Sequence, residues 1–493
     1  MSWIKDTLEK FLVLRDAPRE LWVIYAAKVM AIISYGLMST TLTLWLSSDL
    51  GFSDAHAGDM YAVWSSIITL VTLLVGSLVD AVGIRRSFLA GFVLIVFSRF
   101  FLFDSTSVWI AIPFGLVITA VGEAFMVPVM SAGVKMFSNV RQRSTAFSLF
   151  YVLMNVGFLI AGWLFDVLRK ELGETGTTAV PFFGDLSTYQ VLLLLSFLSA
   201  IPGLLLTYFF LRDGVEMTEE GVTITAREKK YGDATFVQAT LWTMRDTLQD
   251  TVKTFVGVWK QPAFFRFLLF LTLLVFVKVV FYHMHATFPK YGIRELGAGA
   301  PVGQLWSVLN PAIIIVLVPI VGVLSSRVTS YAMIAVGTVI ASSSVFFLAM
   351  PAAWFDGLAQ GTVGHLIAHS WLGLDPAVAV NPLYVSITLF VILFSIGEAI
   401  WSPRLYEYTA SIAPEGQVGS YMALSLLPYF VAKFVVGIMS GRLLQAYCPA
   451  EGPRDSGTMW LIIALMAMIA PVGIIVLKKY IRSEEAGRGE LAS

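Results

Sequence analysis

What most limits the fold open to this chain is a succession of apolar runs, each long enough to cross a bilayer. They fall near residues 20–47, 57–79, 87–105, 108–136, 144–168 and 189–211, then 263–290, 303–326, 330–350, 380–412, 418–446 and 458–479. About twenty apolar residues in a helix span the hydrocarbon core of a membrane, where every backbone polar group must find its partner within the protein. Twelve such runs predict an all-α integral membrane protein. Of the 493 residues, 57% are hydrophobic and 13% charged, a balance that excludes a soluble enzyme of this length. The formal net charge is zero, so no basic face points to nucleic acid. Cys448 is the single cysteine, which rules out a disulfide within the chain and a cysteine-built metal site. There is no HExxH, no P-loop and no phosphate-cradling glycine run, so neither catalysis nor a cofactor or metal is expected. The first residues, MSWIKDTLEKFLVLRDAPREL, are amphipathic and charged, without the order of a cleaved signal peptide.

The chain also repeats itself. VGEAFMVPVM at 121–130 matches IGEAIWSPRL at 396–405, so that Gly122, Glu123, Ala124 and Pro128 fall on Gly397, Glu398, Ala399 and Pro403. The repeat lies at half-chain spacing and implies two homologous halves. The expected division is a six-helix bundle over 1–211, a cytoplasmic linker with a surface helix over 212–262, and a second six-helix bundle over 263–493. Lysine and arginine set the orientation. Arg85 and Arg86 follow span two, Lys135, Arg141 and Arg143 lie between spans four and five, and Lys478, Lys479 and Arg482 follow span twelve. The stretch from Pro351 to Asn381 carries none. Both termini and the linker are therefore expected on the cytoplasmic side of a plasma (inner) membrane, and the 351–381 loop outside.

After span two comes GSLVDAVGIRRS, with Gly76, Asp80, Gly83, Arg85 and Arg86. It resembles the cytoplasmic loop signature of the major facilitator superfamily. The glycines permit a tight turn and close helix approach, and Asp80 can cap a helix or pair with an arginine as a breakable gating latch. The resemblance implies a twelve-helix fold of two six-helix bundles around a central cavity. A narrower resemblance covers four helices. QLWSVLNPAIIIVLVPIVGVL at 304–324, GEAIWSPRLYEYTASIAP at 397–414 and FYVLMNVGFLIAG at 150–162 are similar to helices eight, ten and five of the proton-dependent oligopeptide transporters, and Ser34-Tyr35-Gly36 is similar to part of their helix one. That family receives the amino end of a peptide on two asparagines and a glutamate, which implies that role for Asn155, Asn310 and Glu398, with Tyr35 beside them. The residue types agree: two amides and a carboxylate can bind an ammonium and a carbonyl. Each asparagine could instead satisfy a broken helix, Asn310 before Pro311 above all.

Half of the family's site is missing. Its ExxER glutamates and arginine fall on Ala27, Met30 and Ala31, and its helix-four lysine falls on Val127. Those groups bind the peptide carboxylate and couple protons. Other charges within spans are candidates to replace them: Lys28, Lys278 and Lys433. Lys278 lies deep in an apolar run and is expected to face the cavity, whereas Lys28 is close enough to an end to snorkel. His283 and His285 are equally read as interface residues or proton carriers. Glu398 and Lys278 are read as a proton-coupling pair facing each other from opposite halves. Glu123, the twin of Glu398, is a third coupling candidate, with a plain ion pair to Arg99 as its alternative.

The expected function is secondary active transport, as proton-coupled symport of short peptides or a peptide-like amine. The alternatives are a carrier or exporter of another small amphiphilic solute, or a receptor that does not transport. The expected partners are a small-molecule solute, protons and the lipid bilayer, with the protein acting as a monomer.

Overall fold

The computed structural model describes residues 13–218, 221–224, 262–325, 328–412 and 427–481, with isolated positions between 235 and 249. Side chains at 73, 74, 76–82, 140, 144, 262–264, 323, 406–412 and 427, within helices, lie outside that description. Twelve helices of fifteen residues or more are present among the described residues. In chain order they are α1 (Arg19–Ser48), α2 (Asp54–Val82), α3 (Ile84–Asp104), α4 (Ile118–Met136), α5 (Val140–Leu172), α6 (Thr188–Phe210), α7 (Pro262–Ala286), α8 (Leu309–Leu324), α9 (Ser330–Ser344), α10 (Leu383–Ile412), α11 (Leu427–Tyr447) and α12 (Ser456–Val476). Among the described residues, ten segments are long and apolar enough to cross a membrane. The other two expected spans fall on α2 and α11, each with residues outside the description.

Local chemistry sets the ends. α6 opens on a capping box, in which Ser187 Oγ accepts from Gln190 N–H and Gln190 Oε1 accepts from Ser187 N–H. Thr329 caps α9 and Asp455 caps α12 through their side-chain oxygens. Gly83, at φ 95°, turns the chain between α2 and α3 in a conformation that a side chain would strain. Two small antiparallel hairpins, β1 (Thr177–Val180) with β2 (Gly184–Ser187) and β3 (Val215–Thr218) with β4 (Gly221–Ile224), flank α6. The expected loop at 351–381 is partly helical, with short turns at Ala352–Phe355, Asp356–Ala359, Thr362–His365 and Leu366–Trp371.

Packing divides the chain into two compact units. The first comprises Met1–Thr41, Ile67–Ala161 and Thr177–Val252; the second comprises Leu42–Ser66, Gly162–Gly176 and Lys253–Ser493. One end of each of α1, α2 and α5 thus packs with the later helices.

Between helices in lipid there is little hydrophobic gain, because the alternative neighbour is also apolar; close backbone approach and buried hydrogen bonds decide the packing. Each unit uses the repeat in this way. In the first, Gly122 of α4 sits against Gly91 and Ile95 of α3, and a Cβ there would lie 3.1 Å from Gly91 O. In the second, Gly397 of α10 sits against Gly337 and Ala341 of α9, and a Cβ would lie 2.7 Å from Gly337 O. The twin glycines therefore do the same work in each unit. They bring the helix that carries the twin glutamate tightly onto its neighbour. Around the first contact, Phe88, Phe92, Ile95, Met126, Val129 and Met130 form a continuous buried core.

Candidate substrate site

The twin glutamates start from the same backbone arrangement and end in different chemistry. In the first unit Glu123 pairs with Arg99 of α3, and both are buried. The same guanidinium donates to Ser34 O, Ser34 Oγ and Ser196 Oγ, so it ties α1, α3, α4 and α6 together. The plain ion-pair alternative for Glu123 is thus realised. In the second unit, matching Gly91 to Gly337 and Ile95 to Ala341 carries Arg99 onto Val345, which is buried and apolar. Glu398 consequently has no arginine from α9.

What Glu398 has instead is an amide. Asn310 Nδ2 of α8 donates to Glu398 Oε2 at 3.1 Å and to Ser395 Oγ at 2.9 Å, while Ser395 Oγ donates to Val391 O. Asn310 precedes Pro311 and follows a wide π-helical turn at Gln304–Val308, where the backbone ladder is already loosened. Its side chain does not repair that helix; it crosses to α10. Glu398 and Asn310 are 6% and 5% exposed, so both are held inside the unit.

Lys278 of α7 stands in the same unit. Its ammonium lies 4.9 Å from the Trp401 ring centre and 5.2 Å from that of Phe281, and it is half-buried. The Glu398 carboxylate attracts it through space, although the two form no direct ion pair. Lys433 of α11 lies over Tyr282, 5.7 Å from the ring centre, near enough for the two ammoniums to repel. The expectation that Lys278 and Glu398 face each other from opposite halves is corrected: α7 and α10 both belong to the second unit. The half-chain boundary before span seven already implied this.

The other expected residues are placed as follows. Asn155 Nδ2 donates to Tyr151 O one turn back, at 2.9 Å, and Tyr35 meets Phe158 edge to face. Both lie in the first unit. Lys28 is 3% exposed with its ammonium 3.1 Å from the Phe150 ring centre, so it does not snorkel. His283 is hydrogen-bonded to Thr287 and His285 to Phe281 O, both buried. Gly76 and Asp80 fall in the part of α2 where side chains lie outside the described residues. Arg85 is described; it donates to Tyr208 O at 2.9 Å and lies 3.7 Å from Asp213, while Arg86 is exposed.

Two charge clusters in the second unit went unnoticed in the sequence. Asp54, at the start of α2, pairs with Lys290 at 2.7 Å and Arg294 at 2.8 Å, both on the short helix Phe288–Leu296, and Lys290 also donates to Ser47 Oγ. Burial pushes the Asp54 carboxyl up, but the hydrogen bond from Arg294 and the charge of Lys290 outweigh it and hold the group below its ordinary value. Asp166 of α5 accepts from the backbone N–H of Gly303 and Gln304 at 2.9 and 2.6 Å, capping the turn that leads into α8, and pairs with Arg169. Arg169 also pairs with Glu174. The i, i+4 spacing of Lys290 and Arg294 and the i, i+3 spacing of Asp166 and Arg169 were the available hints.

Among the described residues no group of three or more histidines, cysteines or carboxylates is placed to hold a metal. The groups around Glu398 offer a carboxylate, an amide, an ammonium and ring faces.

The sequence pattern of the Major Facilitator Superfamily matches residues 24–437. The chain belongs to the Major Facilitator Superfamily. It is a multi-pass membrane transporter, not an enzyme. Its fold is also that of solved peptide-transporter structures. A POT family transporter in complex with 5-aminolevulinic acid is 16% identical, with TM-score 0.69 over 94% of this chain and 97% of that one. A second, in complex with a thioalcohol-conjugated peptide, gives 16% identity and TM-score 0.67 over the same shares. The peptide transporter POT in complex with sulfate gives 17% and 0.67 over 96% and 98%. The expected major-facilitator fold, and the resemblance to the oligopeptide branch, are borne out. In this superfamily member the four helices that carried the narrower resemblance are α1, α5, α8 and α10.

Proposed function

We propose that this transporter carries short peptides or a peptide-like amine by proton-coupled symport, with Glu398 as the group that receives both the amine and the coupling proton. The observation that carries the reading is the contrast between the twins. Glu123 is tied to a buried arginine, whereas Val345 stands where that arginine would be and leaves Glu398 with a neutral amide. A buried carboxylate without a fixed cation can exchange its partner between proton, substrate ammonium and lysine. The binding set is Glu398, Asn310 and Lys278 in the second unit, and Asn155 and Tyr35 in the first. Lys278 also takes part in coupling, through its attraction to Glu398. Glu123 stays the second coupling candidate, tested separately below. Gly76, Asp80, Gly83, Arg85 and Arg86 form the gating latch of the proposed mechanism, on the cytoplasmic side with both termini, in a monomer of two six-helix halves. That two solved POT structures of like fold hold 5-aminolevulinic acid in one case and a thioalcohol-conjugated peptide in the other supports a substrate with an amine and a carbonyl.

The test is uptake of a radiolabelled dipeptide into proteoliposomes with and without an imposed proton gradient. Glu398→Gln is expected to abolish gradient-driven accumulation while substrate exchange at equal pH partly survives. Unchanged gradient-driven uptake in that variant removes Glu398 from coupling.

A further inference from the structure

Resting on that reading, we propose that the second unit binds the substrate's anionic end as well as its amine, with Lys278 as the carboxylate receptor. The sequence lacks the arginine and lysine with which the oligopeptide branch would hold a carboxylate, since Ala31 and Val127 stand in their places. Val127 is 64% exposed, and an apolar side chain cannot pair with an anion. The question is which cation remains to do so.

Lys28 is enclosed, with its ammonium on the Phe150 ring and 3% of the residue exposed. Arg99 is spent on Glu123 and three hydroxyl or carbonyl oxygens. Lys290 is spent on Asp54. Lys278 differs from all three. Among the described residues its ammonium makes no hydrogen bond and no ion pair; ring faces are its near neighbours. Ring faces orient an ammonium without consuming its three N–H donors. Those donors are open to an incoming carboxylate.

The surrounding charge favours the same ligand. Lys433 adds a second positive charge on the adjoining helix, and its repulsion of Lys278 is relieved when an anion arrives. Glu398 lies within electrostatic reach of Lys278 but not in contact, so an acceptor for an amine and a donor for a carboxylate stand side by side. A zwitterionic ligand can satisfy both at once. A ligand with only the amine would leave Lys278 uncompensated where water is scarce, which is costly. Phe281, beside the Lys278 ammonium, meets Trp306 edge to face, and Trp306 stacks on Phe390 and lies tilted against Phe394, which gives an apolar wall for the rest of the ligand.

The experiment measures affinities of purified protein for dialanine and dialanine amide by thermal shift and calorimetry, in the native sequence and in Lys278→Gln, Lys278→Arg and Lys28→Gln. 4-Aminobutyrate and its amide serve as a second acid–amide pair. Native protein is expected to prefer each acid over its amide by tenfold or more. Lys278→Gln removes the preference mainly by weakening the acid, and Lys278→Arg restores it. Equal native affinity for acid and amide overturns the proposal. So does a preference that survives in a folded Lys278→Gln protein, or one abolished by Lys28→Gln instead. Should Lys278→Gln not fold, Lys278→Arg and Lys433→Gln decide: retention of the preference in the first and its weakening in the second support the proposal, and the reverse overturns it. If neither dialanine species binds but 4-aminobutyrate does so through Lys278, the peptide reading fails and this inference stands. If no acid binds, the inference fails.

Discussion

Replacing Glu123 by glutamine would leave the Arg99 guanidinium buried with its counter-charge gone. Arg99 and Glu123 have side chains 1% and 6% exposed, so water cannot replace the lost carboxylate. Breaking a buried pair from one side costs about 3–5 kcal/mol. Arg99 keeps Ser34 O, Ser34 Oγ and Ser196 Oγ as neutral acceptors, which places the expected loss for Glu123→Gln near the lower end, at about 3 kcal/mol. Arg99→Met strands the carboxylate instead, with its guanidinium donor gone, and is expected to cost more. The double variant Arg99→Met/Glu123→Leu removes both charges from the interior and should recover most of either loss. The assay is equilibrium unfolding in micelles for all four proteins, read as a double-mutant cycle. A Glu123→Gln variant within about 1 kcal/mol of the native protein would refute the reasoning, as would a double variant no better than the sum of the singles. The same proteins settle the second role. If Glu123 carries the coupling proton, uptake normalised to folded protein loses its gradient dependence in Glu123→Gln; if the pair is structural, that dependence stays.

The cluster of Asp54, Lys290 and Arg294 should be insensitive to acidification across the working range. A carboxyl held below its ordinary 3.8 contributes stability that is complete above that pH and lost only as pH falls through the lower folded value, so the stability gap between native protein and Asp54→Asn should be constant from about pH 8 to pH 5. A gap that closes within that interval, measured by thermal unfolding, would contradict the pairing. The twin glycines should behave alike: Gly122→Ala and Gly397→Ala each force a Cβ against a neighbouring backbone and should each lose about 1–3 kcal/mol. An alanine tolerated at one twin and not at the other would show that the two helix contacts are not equivalent.

Much of this was legible in the residue order because bilayers impose crude rules. Apolar length gives spans, and a GEA…P repeat gives equivalent helices. The repeat even carried packing information, since Gly122 and Gly397 mark the same close approach in each unit. What could not be read was which partner each glutamate finds. Arg99 within α3 and Val345 just past the end of α9 correspond, but the correspondence appears only when Gly91 is matched to Gly337, at an offset of 246, and not at the 275 that relates the glutamates. Loops of different length shift the register between helices, so a single-offset repeat misses the pair. The placing of Lys278 and Glu398 on opposite halves had another cause: residues 278 and 398 both follow the half-chain boundary before span seven, and opposite charge alone does not say which helices carry a pair. Within one unit their attraction changes when something arrives or leaves, not when the halves move. That shifts the expected trigger for proton release from the conformational step to ligand entry. On the proposed reading, a substrate carboxylate that engages Lys278 would withdraw its attraction from Glu398, and the substrate amine would supply the replacement charge. On this account acid and amide substrates should differ not only in affinity but in the number of protons carried with each.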